Sequence, residues 1–247
     1  MEAVTSFKRI EKKYLLTRMQ QERLMERIAF RLRPDEYGRS TVISLYLDTP
    51  DRRIIRASIE AEDYKEKLRL RSYGPAKPES TVFLELKKKF GGVVYKRRVG
   101  MTLTQAEMYL QTGICPVRSQ MMAEIDWAMC FWQRPCGAML VACEREAWFD
   151  DQHPDLRLTF DRSIRARENA LRLDCGSAGT LLLPKDIILL EIKTAGAMPL
   201  WLASALDGES ILPCSFSKYG AAYIRSLENA KRDFNVLEGE NRYVVNL

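Results

Sequence analysis

Residues 64–73 read YKEKLRLRSY. Side chains alternate across a β-strand, so residues two apart share a face. Lys65, Lys67, Arg69 and Arg71 therefore line one side of this segment, and Leu68 and Leu70 the other. The same division recurs outward in both directions. Arg9, Glu11 and Lys13 share a face against Ile10 and Tyr14, and Glu85 and Lys87 oppose Val82, Leu84 and Leu86. Lys96 and Arg98 oppose Val93, Tyr95 and Val99, with Arg97 breaking the pattern on the apolar side, and Glu191 and Lys193 oppose Ile188, Leu190 and Ile192. Glu-x-Lys thus stands on three separate strands, at Glu11/Lys13, Glu85/Lys87 and Glu191/Lys193, each with an apolar reverse face.

One such strand is a solvated sheet face. Several together leave two arrangements: an open sheet with its charges in water, or a barrel covered outside by helices with its charges inside. Amphipathic stripes favour the second. Gln20 to Leu32 aligns Met25, Ile28, Ala29 and Leu32, and Gln120 to Trp132 aligns Met121, Ile125, Ala128 and Trp132. Thr104 with Glu107 has the spacing of a capping box, and Ser217 is placed to cap a last helix running to about Arg232. Further strands are expected over Val42–Leu47, Leu140–Phe149 and Leu156–Phe160. Trp127, Trp132, Trp201, Tyr219 and Tyr223 read as helix packing. No linker rich in Gly, Pro or Ser divides the chain, so residues 1–247 are expected to form a single α+β domain, an antiparallel β-barrel tunnel with helices packed outside.

A charged interior is tolerable only if it holds water and counter-ions, because uncompensated buried ions lose several kcal/mol of solvation each. The expected inward set has ten cations (Lys13, Arg69, Arg71, Lys87, Lys96, Arg98, Arg145, Arg157, Lys193, Lys218) and three carboxylates (Glu11, Glu85, Glu191). Such a channel suits a polyanion. Arg forks match phosphate oxygens, Lys adds point charge, and carboxylates amid cations suit Mn2+ or Mg2+ bridging to phosphate. The chain as a whole carries a formal charge of +6, with pI near 9.0. Its one histidine, His153, excludes histidine zinc sites and Ser-His or Cys-His catalysis. The six cysteines show no C-x-x-C spacing and read as reduced, mostly buried packing residues. The N-terminus lacks a signal-peptide core and no apolar run reaches the ~18 residues of a membrane span, so a cytoplasmic protein is expected. Nucleic acid is disfavoured as a partner, since the basic residues alternate with apolar ones and carry glutamates among them.

An ordered set of short strings resembles a known family. RIEKKY (9–14), SLYLDT (44–49), KLRLRSYG (67–74), FLELKKK (83–89), YKRRV (95–99), CEREAW (143–148), RLTFD (157–161), LLEIK (189–193) and SFSKY (215–219) are similar to the VTC domain. This is the polyphosphate polymerase module of the vacuolar transporter chaperone complex, within the CYTH-like triphosphate tunnel metalloenzymes. The resemblance implies an eight-stranded tunnel with a C-terminal helix near one mouth. It implies phosphate contacts from Lys13, Arg69, Arg71, Lys87, Lys96, Arg98, Arg145, Arg157 and Lys218, and a metal on Glu191. Related triphosphatases open with E-x-E-x-K, whereas Arg9 stands at the first acidic position here, which favours polymerase over hydrolase. The family's sensor domain and membrane helices do not fit in this chain, so a standalone catalytic module is expected.

The expected activity is transfer of the ATP γ-phosphoryl group to a growing inorganic polyphosphate. Arg69, Arg71, Arg145, Arg157 and Lys193 would act on the transferring phosphates. Arg9, Lys13, Lys67, Lys87, Lys96, Arg98 and Lys218 would bind substrate, and Glu191, Glu11 and Glu85 the metal. Hydrolysis of tripolyphosphate or nucleoside triphosphate, and a silent polyphosphate-binding module, are the alternatives.

Overall fold

The computed structural model describes residues 10–61, 63–91, 93–153 and 155–243, with the backbone alone at Tyr37 and 233–243. Its elements are β1 (Ile10–Thr17), α1 (Arg18–Ile28), a 3-10 turn (Ala29–Arg31), β2 (Leu32–Asp48), α2 (Arg53–Glu60), β3 (Tyr64–Tyr73), β4 (Thr81–Phe90) and β5 (Val93–Thr102). There follow α3 (Leu103–Thr112), α4 (Gln120–Phe131), β6 (Cys136–Asp150), β7 (Arg157–Arg167), β8 (Thr180–Leu181), β9 (Ile187–Thr194), α5 (Leu200–Gly208), β10 (Pro213–Cys214) and α6 (Lys218–Tyr243).

The strands form one antiparallel sheet in the order β10-β1-β9-β7-β6-β2-β3-β4-β5, with β8 against β7. Alternation sorts its faces as the sequence indicates. On the outer face, Leu45, Leu68, Leu84 and Val99 pack under α3 and α4 through Tyr109, Met122 and Ile125. Leu16, Phe160 and Leu190 pack under α1 and α5 through Leu24, Ile28, Leu202 and Leu206. Each fully buried side chain of this size stabilises the fold by about 1.5–3 kcal/mol, so these two layers hold the sheet's back and leave its charged face for other work. Arg97, the parity exception, reaches across to α4, where its Nε lies 2.6 Å from Glu124 Oε2.

The sheet is strongly curved but is not the closed eight-stranded barrel expected. It has ten strands, and β5 ends it without a further strand partner among the described residues. The reason is local. The middle of the second edge of β1 is taken by β10, with Lys13 opposite Cys214 and Tyr14 opposite Pro213, so β5 finds no continuous ladder there. Curvature comes from two long strands, β2 with 17 residues and β6 with 15. Their register shifts at Pro34/Arg39, Tyr46/Leu47 and Ala142/Glu144 mark the bulges that bend a sheet.

The first turn of α6 enters the concave face at one end, where Tyr219 and Ala222 bury against Val42, Tyr46, Val141, Cys143 and Leu189. Ser217 caps it, its Oγ accepting from the Gly220 amide at 3.0 Å. The expected capping box at Thr104 is displaced by two residues: Thr102 with Gln105 opens α3. Gln20 to Leu32 divides into α1, capped by Thr17, and a 3-10 turn before β2 begins at Leu32. Alternation did not announce α2. Buried Asp48 places it, because Oδ1 accepts from the Thr49 and Ile54 amides and Oδ2 from the Ile55 amide and the Tyr219 hydroxyl. One carboxylate thereby ties the start of α2 to α6.

Two packing expectations fail. All six cysteines are free, but only Cys143 is buried, because the others lie at element ends and in loops. Trp127 is 62% exposed beside Phe131 on α4, whose opposite stripe faces the sheet. No described helix is long and apolar enough to cross a membrane.

Candidate active site on the concave face

The concave face carries two charge clusters. The first surrounds Glu85 on β4, which is 1% exposed. Register sets it opposite Arg69 of β3 and Arg98 of β5. Arg69 Nη2 lies 2.6 Å from Oε2, Lys96 Nζ 2.8 Å and Arg98 Nε 3.3 Å from Oε1, and Arg71 Nη1 4.0 Å from Oε2. Arg71 also donates to Ser44 Oγ at 3.1 Å, and Arg69 to the Tyr46 hydroxyl at 3.3 Å. Burial raises the Glu85 carboxyl, but Arg69, Arg71 and Lys96 outweigh it and hold the group below its ordinary range.

The second cluster surrounds Glu191 of β9 and Asp161 of β7. Arg145 of β6 grips Asp161 through Nε and Nη2 at 2.6 Å each, and its Nη2 also reaches Glu191 Oε2 at 3.3 Å. Lys218, the first residue of α6, lies 2.5 Å from Asp161 Oδ2 and 2.9 Å from Glu191 Oε1. Lys193 approaches Glu191 at 3.7 Å and Lys13 at 4.0 Å. Against the pull of burial, Lys218, Lys193 and Arg145 hold Glu191 well below the usual carboxylate range. Asp161 falls to about 2, again despite burial, through Arg145 and Lys218.

Side chains join the clusters where the backbone does not. Glu11 of β1 meets Lys87 of β4 at 3.1 Å and Lys13 at 3.3 Å. Burial opposes its ionisation, but Lys87 leads the groups that bring Glu11 to about 2. Lys67 donates to Ser217 Oγ at 2.7 Å and Lys13 to the Phe216 carbonyl at 2.7 Å, so the turn into α6 is held from both walls. Tyr46 stacks on Tyr219 with centroids 4.5 Å apart.

Of the residues marked from sequence, Lys13, Lys67, Arg69, Arg71, Lys87, Lys96, Arg98, Arg145, Lys193 and Lys218 converge here with Glu11, Glu85 and Glu191. Arg157 stands further out, with Nη2 3.0 Å from Asp35 Oδ2 and its guanidinium 4.7 Å over Phe149. Arg9 lies outside the described residues. Sequence reasoning missed Asp161, Ser44 and Tyr46. All three sit at inward parity, two or four residues from positions already marked or within a recognised strand.

Among the described residues, no three acidic, histidine or cysteine side chains gather into a metal-holding group. A cage built by the protein alone therefore does not fit Mn2+ or Mg2+. Glu85, whose side chain is 1% exposed amid four cations, is an anchor for them rather than an open ligand, whereas Glu191, also among four cations, and Glu11 keep 10% and 17% of their side chains open. Glu191 and Glu11 fit a hard cation that arrives with phosphate oxygens and water in its shell, since such ions commonly take only one or two carboxylates from the protein.

Counting ten cations against Glu11, Glu85, Asp161 and Glu191, the face carries six positive charges in excess when all are ionised. This arrangement can gather a chain of phosphates.

The VTC domain model matches residues 8–226. This chain belongs to the VTC domain family. Among solved structures, a Bacillus halodurans protein described as a candidate adenylate cyclase superposes with a TM-score of 0.54 at 14% identity, covering 87% of this chain and 96% of that one. HpAC1 from Hippeastrum, a candidate adenylyl cyclase described as having a dominant triphosphatase activity, gives 0.51 at 14% identity, covering 87% and 94%. At this identity the likeness is one of fold. No curated protein sequence matches the chain. The VTC domain of this protein thus shares its fold with both structures, as a curved open sheet in which Glu11 of β1 meets Lys87 of β4.

Proposed function

We propose that this VTC domain is a polyphosphate polymerase that transfers the γ-phosphoryl group of ATP to the end of a polyphosphate chain. The observation that carries the proposal is the state of its carboxylates. Glu11, Glu85, Asp161 and Glu191 are each held by cations far below neutrality, so none of the four is a competent base for activating water. A terminal phosphate oxygen is already anionic and needs no base. Catalysis is then positioning and charge neutralisation: Arg69 and Arg71 on one wall, Arg145, Lys193 and Lys218 on the other, drawing two phosphate ends together against their mutual repulsion. Arg157 would meet the chain further along the same face. Mn2+ or Mg2+, held by Glu191 with Glu11, would supply further neutralisation of the phosphate oxygens.

Two lysines titrate closest to neutrality: burial, opposed by Glu191, brings Lys193 to about 8, and Lys67 lies lower still. Burial, then Lys13, Lys87, Arg69 and Lys65, bring it to about 7. A bound phosphate chain returns its proton, making it a phosphate ligand and not a base. The rival reading is triphosphate hydrolysis, favoured by the activity described for the Hippeastrum neighbour. Incubation with ATP and Mn2+ separates the two on a gel. Long phosphate polymers are expected, and orthophosphate release without polymer would sink the polymerase reading.

A further inference from the structure

At the far end of the Glu85 cluster, the concave face changes character. Tyr73 ends β3 and Phe83 lies on the inward face of β4, their rings 6.0 Å apart at 75°. Arg98 of β5 lies against both. Its guanidinium is 3.6 Å from the Phe83 centroid and 5.7 Å from that of Tyr73, and its Nη2 donates to the Tyr73 hydroxyl at 3.1 Å. Its Nε meanwhile faces Glu85 at 3.3 Å. One side chain therefore touches the phosphate-binding cluster and an aromatic pair. Tyr73 is 51% exposed, and the residue paired with Phe83 across β4 and β5 is Gly100, which adds no side chain over the ring. By contrast, the Tyr46 ring is covered by Tyr219.

A phosphate chain has no use for π faces. A nucleobase does, because stacking on aromatic rings and on a guanidinium plane stabilises any base without reading its edge. We infer that Tyr73, Phe83 and Arg98 form a stacking platform for the base of a nucleoside triphosphate whose phosphates lie on the cations around Glu85. The inference rests on the phosphate-binding reading above and sets the substrate class: nucleoside triphosphates over inorganic tripolyphosphate, purines over pyrimidines, and little distinction between adenine and guanine. The platform offers ring faces and one guanidinium, not donors and acceptors matched to one base edge.

The test is titration calorimetry of the full chain in EDTA with ATP, GTP, UTP and tripolyphosphate, comparing wild type with Tyr73→Ala and Phe83→Leu. In Tyr73→Ala, ATP affinity is expected to fall about tenfold and tripolyphosphate affinity less than about twofold. In the wild type, ATP and GTP are expected to bind alike and about threefold tighter than UTP. The conservative Phe83→Leu, with thermal melting as a check on folding, is expected to give a smaller loss in the same direction. Equal weakening of ATP and tripolyphosphate in Tyr73→Ala would overturn the platform while leaving phosphate binding intact. Absence of tripolyphosphate binding to wild type would instead overturn the phosphate-binding reading, and the platform with it.

Discussion

Lys87 Nζ lies 3.1 Å from Glu11 Oε2, an ion pair between β4 and β1 that spans the opening left by the backbone ladder. The pair serves two opposed ends. It draws the walls together in the empty protein, yet it places a carboxylate where an incoming phosphate would prefer a cation alone.

Replacing Glu11 with Gln should therefore tighten tripolyphosphate binding without metal, since Lys87 and Lys13 are freed for phosphate. A gain of roughly threefold to tenfold is expected from removing one like charge at this range. Calorimetry in EDTA measures it. With Mn2+ the gain should shrink or reverse, because Glu11 is then lost as a metal ligand. Weaker binding in EDTA would mean that Glu11 acts chiefly to hold the walls.

Asp48 and Tyr219 give a stability test. Asp48 takes five hydrogen bonds at a fully buried site, one of them from Tyr219 at 2.8 Å. Tyr219→Phe removes one bond and should cost about 1 kcal/mol. Asp48→Ala leaves the Thr49, Ile54 and Ile55 amides without that partner and should cost about 3 kcal/mol or more. Urea unfolding reads both. Equal losses would show that the α2 amides do not depend on Asp48.

How far the sequence spoke for itself depended on range. Alternation within a strand is local, so Arg69 and Arg71, Glu85 and Lys87, and Glu191 and Lys193 could be set on one face from spacing alone. Asp161 escaped because the segment around it was read as ending at Phe160, although its parity with Arg157 marks it as inward. Arg157 had the right parity, but its contact with Asp35 depends on the bulged start of β2, a stretch with no alternation to read. Closure was the least legible feature. It turns on β10, a two-residue strand containing Pro213, and on ion pairs such as Lys87 with Glu11, 76 residues apart.

Lys67 should make phosphate binding depend on pH. The free protein holds it at about 7, through burial first and then Lys13, Lys87, Arg69 and Lys65. A phosphate chain favours the ammonium form, so the bound pKa lies higher, and binding takes up a proton above pH 7. Affinity for tripolyphosphate should fall between pH 7 and 9 by up to about tenfold per unit for each linked proton, with Lys193, which burial brings to about 8, adding a second step above that of Lys67. Lys67→Met should flatten the part of the profile near pH 7 and leave the Lys193 step near pH 8. Calorimetry in buffers of differing ionisation enthalpy counts the proton directly, and unchanged uptake in the variant would assign it to another group.

Asp161→Asn bears on both stability and binding. Asp161 is fully buried and is the shared partner of Arg145 and Lys218. Removing its charge leaves two cations facing each other with Glu191 as their remaining carboxylate, and breaking a buried pair in this way costs about 3–5 kcal/mol. For a domain of this size the melting temperature should fall by roughly 10 °C. The uncompensated charge is also what a phosphate chain neutralises, so the variant should bind tripolyphosphate more tightly than wild type. At a hundredfold excess over Kd, ligand adds about 2.7 kcal/mol of stability, and the increment grows as Kd falls. Tripolyphosphate at one fixed concentration should therefore raise the melting temperature of Asp161→Asn by more than that of wild type, recovering part of the loss. A smaller rise would show that Asp161 supports the phosphate site instead of competing with it, by holding Arg145 and Lys218 in the geometry the phosphates require.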